Sequence, residues 1–354
     1  MKKVLKRTAI VLVILLIIVF AVGYYITSSE MKKNFGRGDY PDPKTTPMWF
    51  YDHYEKDYPR QEVSFKSGEN TLKGFLYGMD GNKGLIFFAH GIGGGHEYYL
   101  GLITCLIDRG WSVFAYDCTG SGYSEGENSK GLAQSVIDLD KALDFAENDS
   151  RTKDMDKYLL GHSWGGYAVA AVLNFEHDIR ASVSISGYYT PFAELAEACG
   201  DSYGKAGILL YPLVWLYNKA EFGKDSSWSA VDGINRSGIP VLVIHGENDE
   251  IINYNGASII AQRDRITNPN AEFRTFSEEG RSGHSSIFNT AEYAEYKKKV
   301  FAPAVKEFNE KYNNNAPYDE IVRFYDSVDH ELYNENNPEM IDIIDEFFEK
   351  AAKN

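Results

Sequence analysis

Tyr158-Leu159-Leu160-Gly161-His162-Ser163-Trp164-Gly165-Gly166-Tyr167-Ala168-Val169-Ala170-Ala171-Val172-Leu173 decides the fold. The first three residues are a short apolar strand. The last eight are small or apolar and read as a buried helix. Between them stands G-x-S-x-G. A serine on a sharp strand-to-helix turn is lifted clear of the sheet, where its hydroxyl is free to attack. The glycines let the chain turn and let the helix pack close to the strand. Gly122-Tyr123-Ser124-Glu125-Gly126 and Gly200-Asp201-Ser202-Tyr203-Gly204 fit the same pattern. The first sits in a Gly- and Ser-rich loop, and the second has no strand before it. Context therefore selects Ser163.

A serine hydroxyl is a weak nucleophile at neutral pH. It needs a histidine base, and the base needs a carboxylate to fix its tautomer and stabilise its charge. On a strand–turn–helix site the order is serine, acid, histidine. Downstream, Pro240-Val241-Leu242-Val243-Ile244 runs into His245-Gly246-Glu247-Asn248-Asp249, and Phe273-Arg274-Thr275-Phe276 leads to a polar loop ending Gly283-His284. Ser163, Asp249 and His284 fall in that order, each beyond a strand. Glu247 is the rival acid, and Asp249 as a helix N-cap is the rival role. His330 also follows Asp249, but in an acidic, helical-looking stretch. Asp117 reads as a structural residue holding the loop after its strand.

From about Val63 to His284 the chain resembles the α/β-hydrolase superfamily, in its monoglyceride-lipase-like and serine-aminopeptidase-like branch. Four motifs carry the resemblance: His90-Gly91-Ile92-Gly93 after the strand Leu85–Ala89; Asp117-Cys118-Thr119-Gly120-Ser121-Gly122-Tyr123-Ser124 after Trp111–Tyr116; the G-x-S-x-G turn; and Gly246-Glu247-Asn248-Asp249 with Gly283-His284. The resemblance implies an α/β-hydrolase fold and a Ser163–His284–Asp249 triad. It implies an oxyanion hole from the backbone N–H groups of Ile92 and Trp164, donors worth about 3–4 kcal/mol each. The loop reads HGIGGG where some lipases have a contiguous HGGG. The reaction it implies is hydrolysis of a carboxylic ester, such as a monoacylglycerol-like lipid, with no metal or cofactor. Amide cleavage, as in the serine aminopeptidases, is the alternative. Prolyl-aminopeptidase-type relatives usually carry G-G-S-W-G, whereas His162 precedes Ser163 here. Glu194, Glu197 or Asp201 would have to bind the substrate amine. A catalytically inactive binding protein on the same fold is the third reading.

Lys2, Lys3, Lys6 and Arg7 precede an apolar run from Ala9 to Ile26. At ~1.5 Å per residue these eighteen residues span about 27 Å, close to the hydrocarbon thickness of a bilayer. Residues 1–29 read as a membrane anchor with its basic end in the cytoplasm and the catalytic body on the extracytoplasmic side. A signal peptide cleaved near Ala21-Val22-Gly23, giving a secreted enzyme, is the alternative.

Without the four leading basic residues the chain keeps 32 basic against 51 acidic residues, a net charge of −19. Such a body is not expected to seek nucleic acid. Cys105, Cys118 and Cys199 have no C-x-x-C spacing and suggest neither a disulfide framework nor a zinc site. Residues 30–62 read as a juxtamembrane segment. Residues 63–354 read as the hydrolase domain, opening on a hairpin about Gly68-Glu69-Asn70 and continuing as a mostly parallel sheet with helices on both faces. An aromatic-rich insertion at about 188–238 reads as a helical cap, and its apolar residues suggest an acyl pocket or a lipid-touching surface. From about 286 the chain carries an extended helical C-terminus. Its last helix starts at Asn337-Pro338 and buries Met340, Ile341, Ile344, Phe347 and Phe348.

Overall fold

The computed structural model describes residues 2–353. The expected anchor (1–29) and hydrolase domain (63–354) each extend one residue, Met1 and Asn354, outside that range. Eight strands form one sheet in the order β1-β2-β4-β3-β5-β6-β7-β8. They are β1 (Arg60–Ser67), β2 (Asn70–Tyr77), β3 (Leu85–Ala89), β4 (Ser112–Tyr116), β5 (Lys157–His162), β6 (Ile179–Ile185), β7 (Val241–Gly246) and β8 (Ala271–Phe276). The β1–β2 hairpin and the β2–β4 pairing are antiparallel. From β4 onward every pairing is parallel. Parallel strands need crossovers, and crossover helices cover both faces, so the central strands are apolar throughout. In β3, Leu85, Phe87 and Ala89 enter the core on one face, and Ile86 and Phe88 enter that on the other. Each such fully buried Leu or Phe contributes about 1.5–3 kcal/mol.

The chain opens with helix α1 (Lys2–Asn34), followed by the single turn α2 (Tyr51–Tyr54). One face of the sheet carries α3 (Leu100–Asp108) and the last helix, α13 (Pro338–Ala352). Asn337 caps α13 through Glu339 N–H, Pro338 occupies its first turn, and its five expected apolar residues are buried. The other face carries α4 (Gln134–Asn148), α5 (Trp164–Ala171) and α8 (Ala230–Ser237). Between β6 and α8 come α6 (Pro191–Tyr203) and α7 (Tyr211–Phe222), joined by 3₁₀ turns. They form the outer part of the 188–238 insertion, whereas α8 packs on α5 within the helix layer.

Helix α1 is long and apolar enough over Lys3–Asn34 to cross a membrane, and its apolar run is exposed apart from half-buried Gly23 and Tyr24. The C-terminal extension is built from several short helices before α13. It contains α9 (Ala291–Tyr296), a π-turn, α10 (Ala302–Tyr312), α11 (Tyr318–Asp326) and α12 (His330–Tyr333). This extension packs back on residues 42–49. Tyr318 donates to Asp42 at 2.7 Å, Asn334 Nδ2 donates to the Pro47 carbonyl at 2.9 Å, and Trp49 N–H donates to Asn334 at 2.9 Å. Tyr40 in turn donates to buried Asp117 at 2.9 Å.

Candidate active site

β5 delivers Ser163 to the carboxyl edge of the sheet. Ser163 takes φ +58° and ψ −114°, a conformation that non-glycine residues avoid. Such strain costs on the order of 1–3 kcal/mol and persists only where packing enforces it. The enforcement is local. Ser163 N–H donates to the Ile185 carbonyl at 2.8 Å, and Tyr167 N–H donates to the Ser163 carbonyl at 3.0 Å. α5 lies so near β3 that a Cβ on Gly165 would collide with the Ala89 carbonyl. Only glycine fits there.

Three sequence-predicted side chains meet at this turn. The Ser163 hydroxyl lies 2.8 Å from His284 Nε2. His284 Nδ1 lies 2.9 Å from Asp249 Oδ2 and 3.0 Å from Oδ1. With the ring proton on Nδ1, directed at the carboxylate, Nε2 is left to accept from the serine. Asp249 does not cap a helix. Its Oδ1 accepts from the N–H groups of Ile251 and Ile252 in the turn after β7. Burial opposes its ionisation. Hydrogen bonds from His245 and His284, the His284 charge and the Ile252 N–H outweigh that and hold the carboxyl well below the usual range. Glu247 is exposed, and His330 is turned to the Pro47 and Tyr325 carbonyls at 3.0 and 2.9 Å.

The loop after β3 stands beside the serine, and a Cβ on Gly91 would lie 3.6 Å from that of Ser163. The loop is fixed from behind by His90, whose ring contacts the Gly91 carbonyl through Nδ1 at 2.7 Å. Its Nε2 accepts from Cys118 N–H at 2.9 Å. A trans peptide puts its C=O and the next N–H on opposite sides. With the Gly91 carbonyl turned to His90, the Ile92 N–H faces away from that ring. Trp164 opens α5, and the first N–H groups of a helix have no intrahelical partner. Asp117 is fully buried and anchors the next stretch. Its Oδ1 accepts from His96 N–H at 2.8 Å and its Oδ2 from Tyr123 N–H at 2.9 Å.

Sequence reasoning did not find Tyr99 or the part His162 plays. Gly91 N–H donates to Tyr99 Oη at 3.2 Å, Tyr99 O–H reaches His162 Nδ1 at 2.8 Å, and His162 Nε2 reaches the His284 carbonyl at 3.0 Å. Burial, with neighbouring His284, pushes the His162 pKa down to about 3, so the ring is neutral and donates through Nε2 only. These bonds tie the loop beside Ser163 to the backbone of His284. Removing one hydroxyl from a buried network costs about 1–3 kcal/mol. Tyr99→Phe is therefore expected to lower kcat for a soluble ester about tenfold with little change in KM, the signature of lost positioning. Unchanged kcat would show that the linkage carries no catalytic weight.

A cavity of about 480 Å³ opens beside Gly91–Gly95 and His162. Its other walls are Trp49 and Tyr54 from the segment before β1, Phe288, and Tyr293, Lys297 and Tyr333 from the C-terminal extension. The aromatic insertion does not line it, although the insertion's composition suggested a pocket there. Part of that composition is packing: Tyr188 stacks on Tyr167 with centroids 4.5 Å apart, and Tyr217 is buried. In α6, Glu194 is largely buried with Oε2 unpartnered. Burial, then Glu197, Asp249 and Asp201, raise its pKa to about 8. Glu197 is engaged, accepting from the N–H groups of Asn253 and Ala257.

Residues 80–209 match the family model described as serine aminopeptidase, S33. The chain is 27% identical over 257 residues to the uncharacterized protein YfhR of Escherichia coli O157:H7, covering 70% of this chain and 79% of that one. It is 24% identical over 199 residues to the lysophosphatidylserine lipase ABHD12 of Danio rerio, covering 56% and 48%. Among solved structures, an esterase of Pyrococcus furiosus superposes with a TM-score of 0.51 at 18% identity, over 78% of this chain and 98% of that one. At that identity the likeness is one of fold.

Proposed function

We propose that this chain, which has the α/β-hydrolase fold, is a member of that superfamily and a membrane-anchored serine hydrolase of carboxylic esters. The observation that carries the reading is the unbroken line from Asp249 through His284 to Ser163, at 2.9 and 2.8 Å. Ser163 Oγ attacks the ester carbonyl carbon while His284 Nε2 takes the hydroxyl proton. Asp249 stabilises the imidazolium and holds its orientation. The N–H groups of Ile92 and Trp164 stabilise the oxyanion of the tetrahedral intermediate. That intermediate collapses, His284 protonates the departing alkoxide, and an acyl-Ser163 remains. Water then gives its proton to His284 and attacks the acyl carbon, releasing the acid and restoring the serine.

The preferred ester is a lipid of monoacyl type. The aromatic cavity beside the Gly91 loop, the apolar helix α1 and the similarity to a protein named as a lysophospholipid lipase support that choice. Lys2, Lys3, Lys6 and Arg7 ahead of the apolar run support a catalytic body on the extracytoplasmic side. One observation favours a second reading, amide hydrolysis. The unpartnered carboxyl of Glu194 would receive a substrate ammonium, with Asp249 close enough to raise its pKa.

The test takes the full chain in detergent, a fluorophosphonate probe, p-nitrophenyl esters from acetate to palmitate, and aminoacyl p-nitroanilides. The ester reading expects covalent labelling and a rate that peaks at medium or long acyl chains. Turnover confined to anilides would establish the amide reading instead. No labelling and no turnover would leave a binding protein on a hydrolase fold.

A further inference from the structure

We propose that the outer face of the cap, formed by Ile208, Leu209 and Trp215, is seated in the surface of the same phospholipid bilayer that α1 crosses. This rests on the reading of α1 as a membrane anchor. It adds where the catalytic body sits.

The argument starts from the junction between α1 and the body. The apolar run ends at Ile26, yet α1 continues as helix to Asn34. Met31 and Phe35 are buried in the core beneath it. The Phe35 carbonyl accepts from Ser129 N–H at 2.9 Å. Five helical steps, about 7.5 Å at 1.5 Å each, thus lead from the end of the apolar run at Ile26 to a fixed attachment at Met31. The body cannot drift away from the membrane on a loose tether.

The second observation sets the depth. Leu213 of α7 packs on Gly23, so closely that a Cβ there would lie 3.2 Å from Leu213 Cδ1. Tyr24 packs against the same core as Val214 and Tyr217. Gly23 and Tyr24 lie inside the apolar run. A bilayer that holds Ala9–Ile26 in its hydrocarbon therefore extends to α7.

The third observation is the composition of the face at that level. Ile208 is 61% exposed, Leu209 76% and Trp215 51%. Large apolar side chains left in water within one short stretch mark a docking surface, and tryptophan is favoured where hydrocarbon meets headgroups. Lys205 is exposed beside them and can reach the phosphate level while its stem stays among the apolar side chains. The occupant that meets both the helix and this face is the bilayer itself. A lipid ester held in that bilayer then lies beside the catalytic body, whereas a soluble ester arrives from solution.

The experiment uses the full chain in phosphatidylcholine vesicles. Leu16→Cys, Leu209→Cys and Glu310→Cys are made separately with Cys105 and Cys199 replaced by Ser, labelled with a polarity-sensitive fluorophore, and challenged with doxyl-labelled phosphatidylcholine. Quenching at positions 16 and 209 but not at 310 is the expected result. Quenching at 16 alone overturns the proposal and leaves the anchor standing. Quenching at none removes the anchor and the proposal together. A blue-shifted but unquenched label at 209 means burial against a second copy, which also overturns it. None of these outcomes depends on catalysis, so failure of the ester reading is read separately. As a functional arm, the Ile208→Ser, Leu209→Ser and Trp215→Ser triple variant should lose about tenfold in turnover of a monoacylglycerol held in the vesicles, because interfacial binding scales with buried apolar area. Its turnover of p-nitrophenyl butyrate should be unchanged. Turnover of the vesicle-held substrate unchanged from that of the parent chain would overturn the proposed seating.

Discussion

Ser163→Ala is expected to lower ester turnover by roughly 10⁵- to 10⁶-fold, leaving the residual acceleration that binding and oxyanion donors supply without a nucleophile. The fold should survive. The backbone bonds at position 163 run to Ile185 and Tyr167 and do not involve the hydroxyl. The side chain contributes one hydrogen bond, to His284, worth about 1 kcal/mol net. Alanine inherits the same positive φ as serine, so it neither adds nor relieves strain. Ser163→Gly separates strain from chemistry, since glycine adopts φ +58° without the Cβ penalty. It should be as inactive as the alanine variant and melt higher than it, by an amount that reports the strain at the turn. Thermal melts of both variants beside a burst assay on a p-nitrophenyl ester make the comparison. An alanine variant that keeps more than a hundredth of the rate would move the nucleophile elsewhere.

The parts of this molecule that were legible in sequence are those whose signal is local. Ser163 stands out because strand, glycine turn and small-residue helix are adjacent along the chain. Asp249 and His284 stand out because each follows a strand, and the parallel order β5-β6-β7-β8 brings those strand ends to one edge. The α13 apolar face was readable from its helical spacing. The exchange of β3 and β4 in the sheet was not, since strand order is set by pairings between distant segments. Tyr99 gave no signal, because its partners Gly91 and His162 are joined by tertiary folding alone. The cavity walls illustrate the limit most clearly. Apolar and aromatic residues crowd the 188–238 insertion, but composition does not say whether an aromatic packs, faces solvent or lines a pocket. Besides the Gly91 loop, Glu97–Leu102 and His162, the cavity is lined from 48–54 and from 285 onward, segments far from Ser163 in sequence whose approach to it is set by tertiary packing alone.

Asp249→Asn should reduce kcat by about 10⁴-fold through the histidine tautomer. The carboxylate accepts from Ile251 and Ile252 N–H through Oδ1, and its Oδ2 faces His284 Nδ1 at 2.9 Å and His245 Nε2 at 3.1 Å. An asparagine has one acceptor oxygen. If it keeps the two backbone bonds, its NH₂ group takes the Oδ2 position and meets both imidazoles as a donor. His284 must then accept at Nδ1 and carry its proton on Nε2, so it confronts Ser163 Oγ with an N–H and cannot take the hydroxyl proton. The same substitution has a pH signature in stability. The folded-state pKa of Asp249 lies below the usual carboxylate range, so its contribution is full above about pH 4 and is lost as pH falls below that. The asparagine variant has no such contribution to lose. The gap in melting temperature between the two proteins should therefore be widest near neutrality and narrow in acid. A gap that stayed constant from pH 7 to pH 3, with kcat reduced less than tenfold, would show that Asp249 is a turn residue. The orienting acid would then be sought at Glu250, whose carboxylate already accepts the His284 backbone N–H at 2.9 Å.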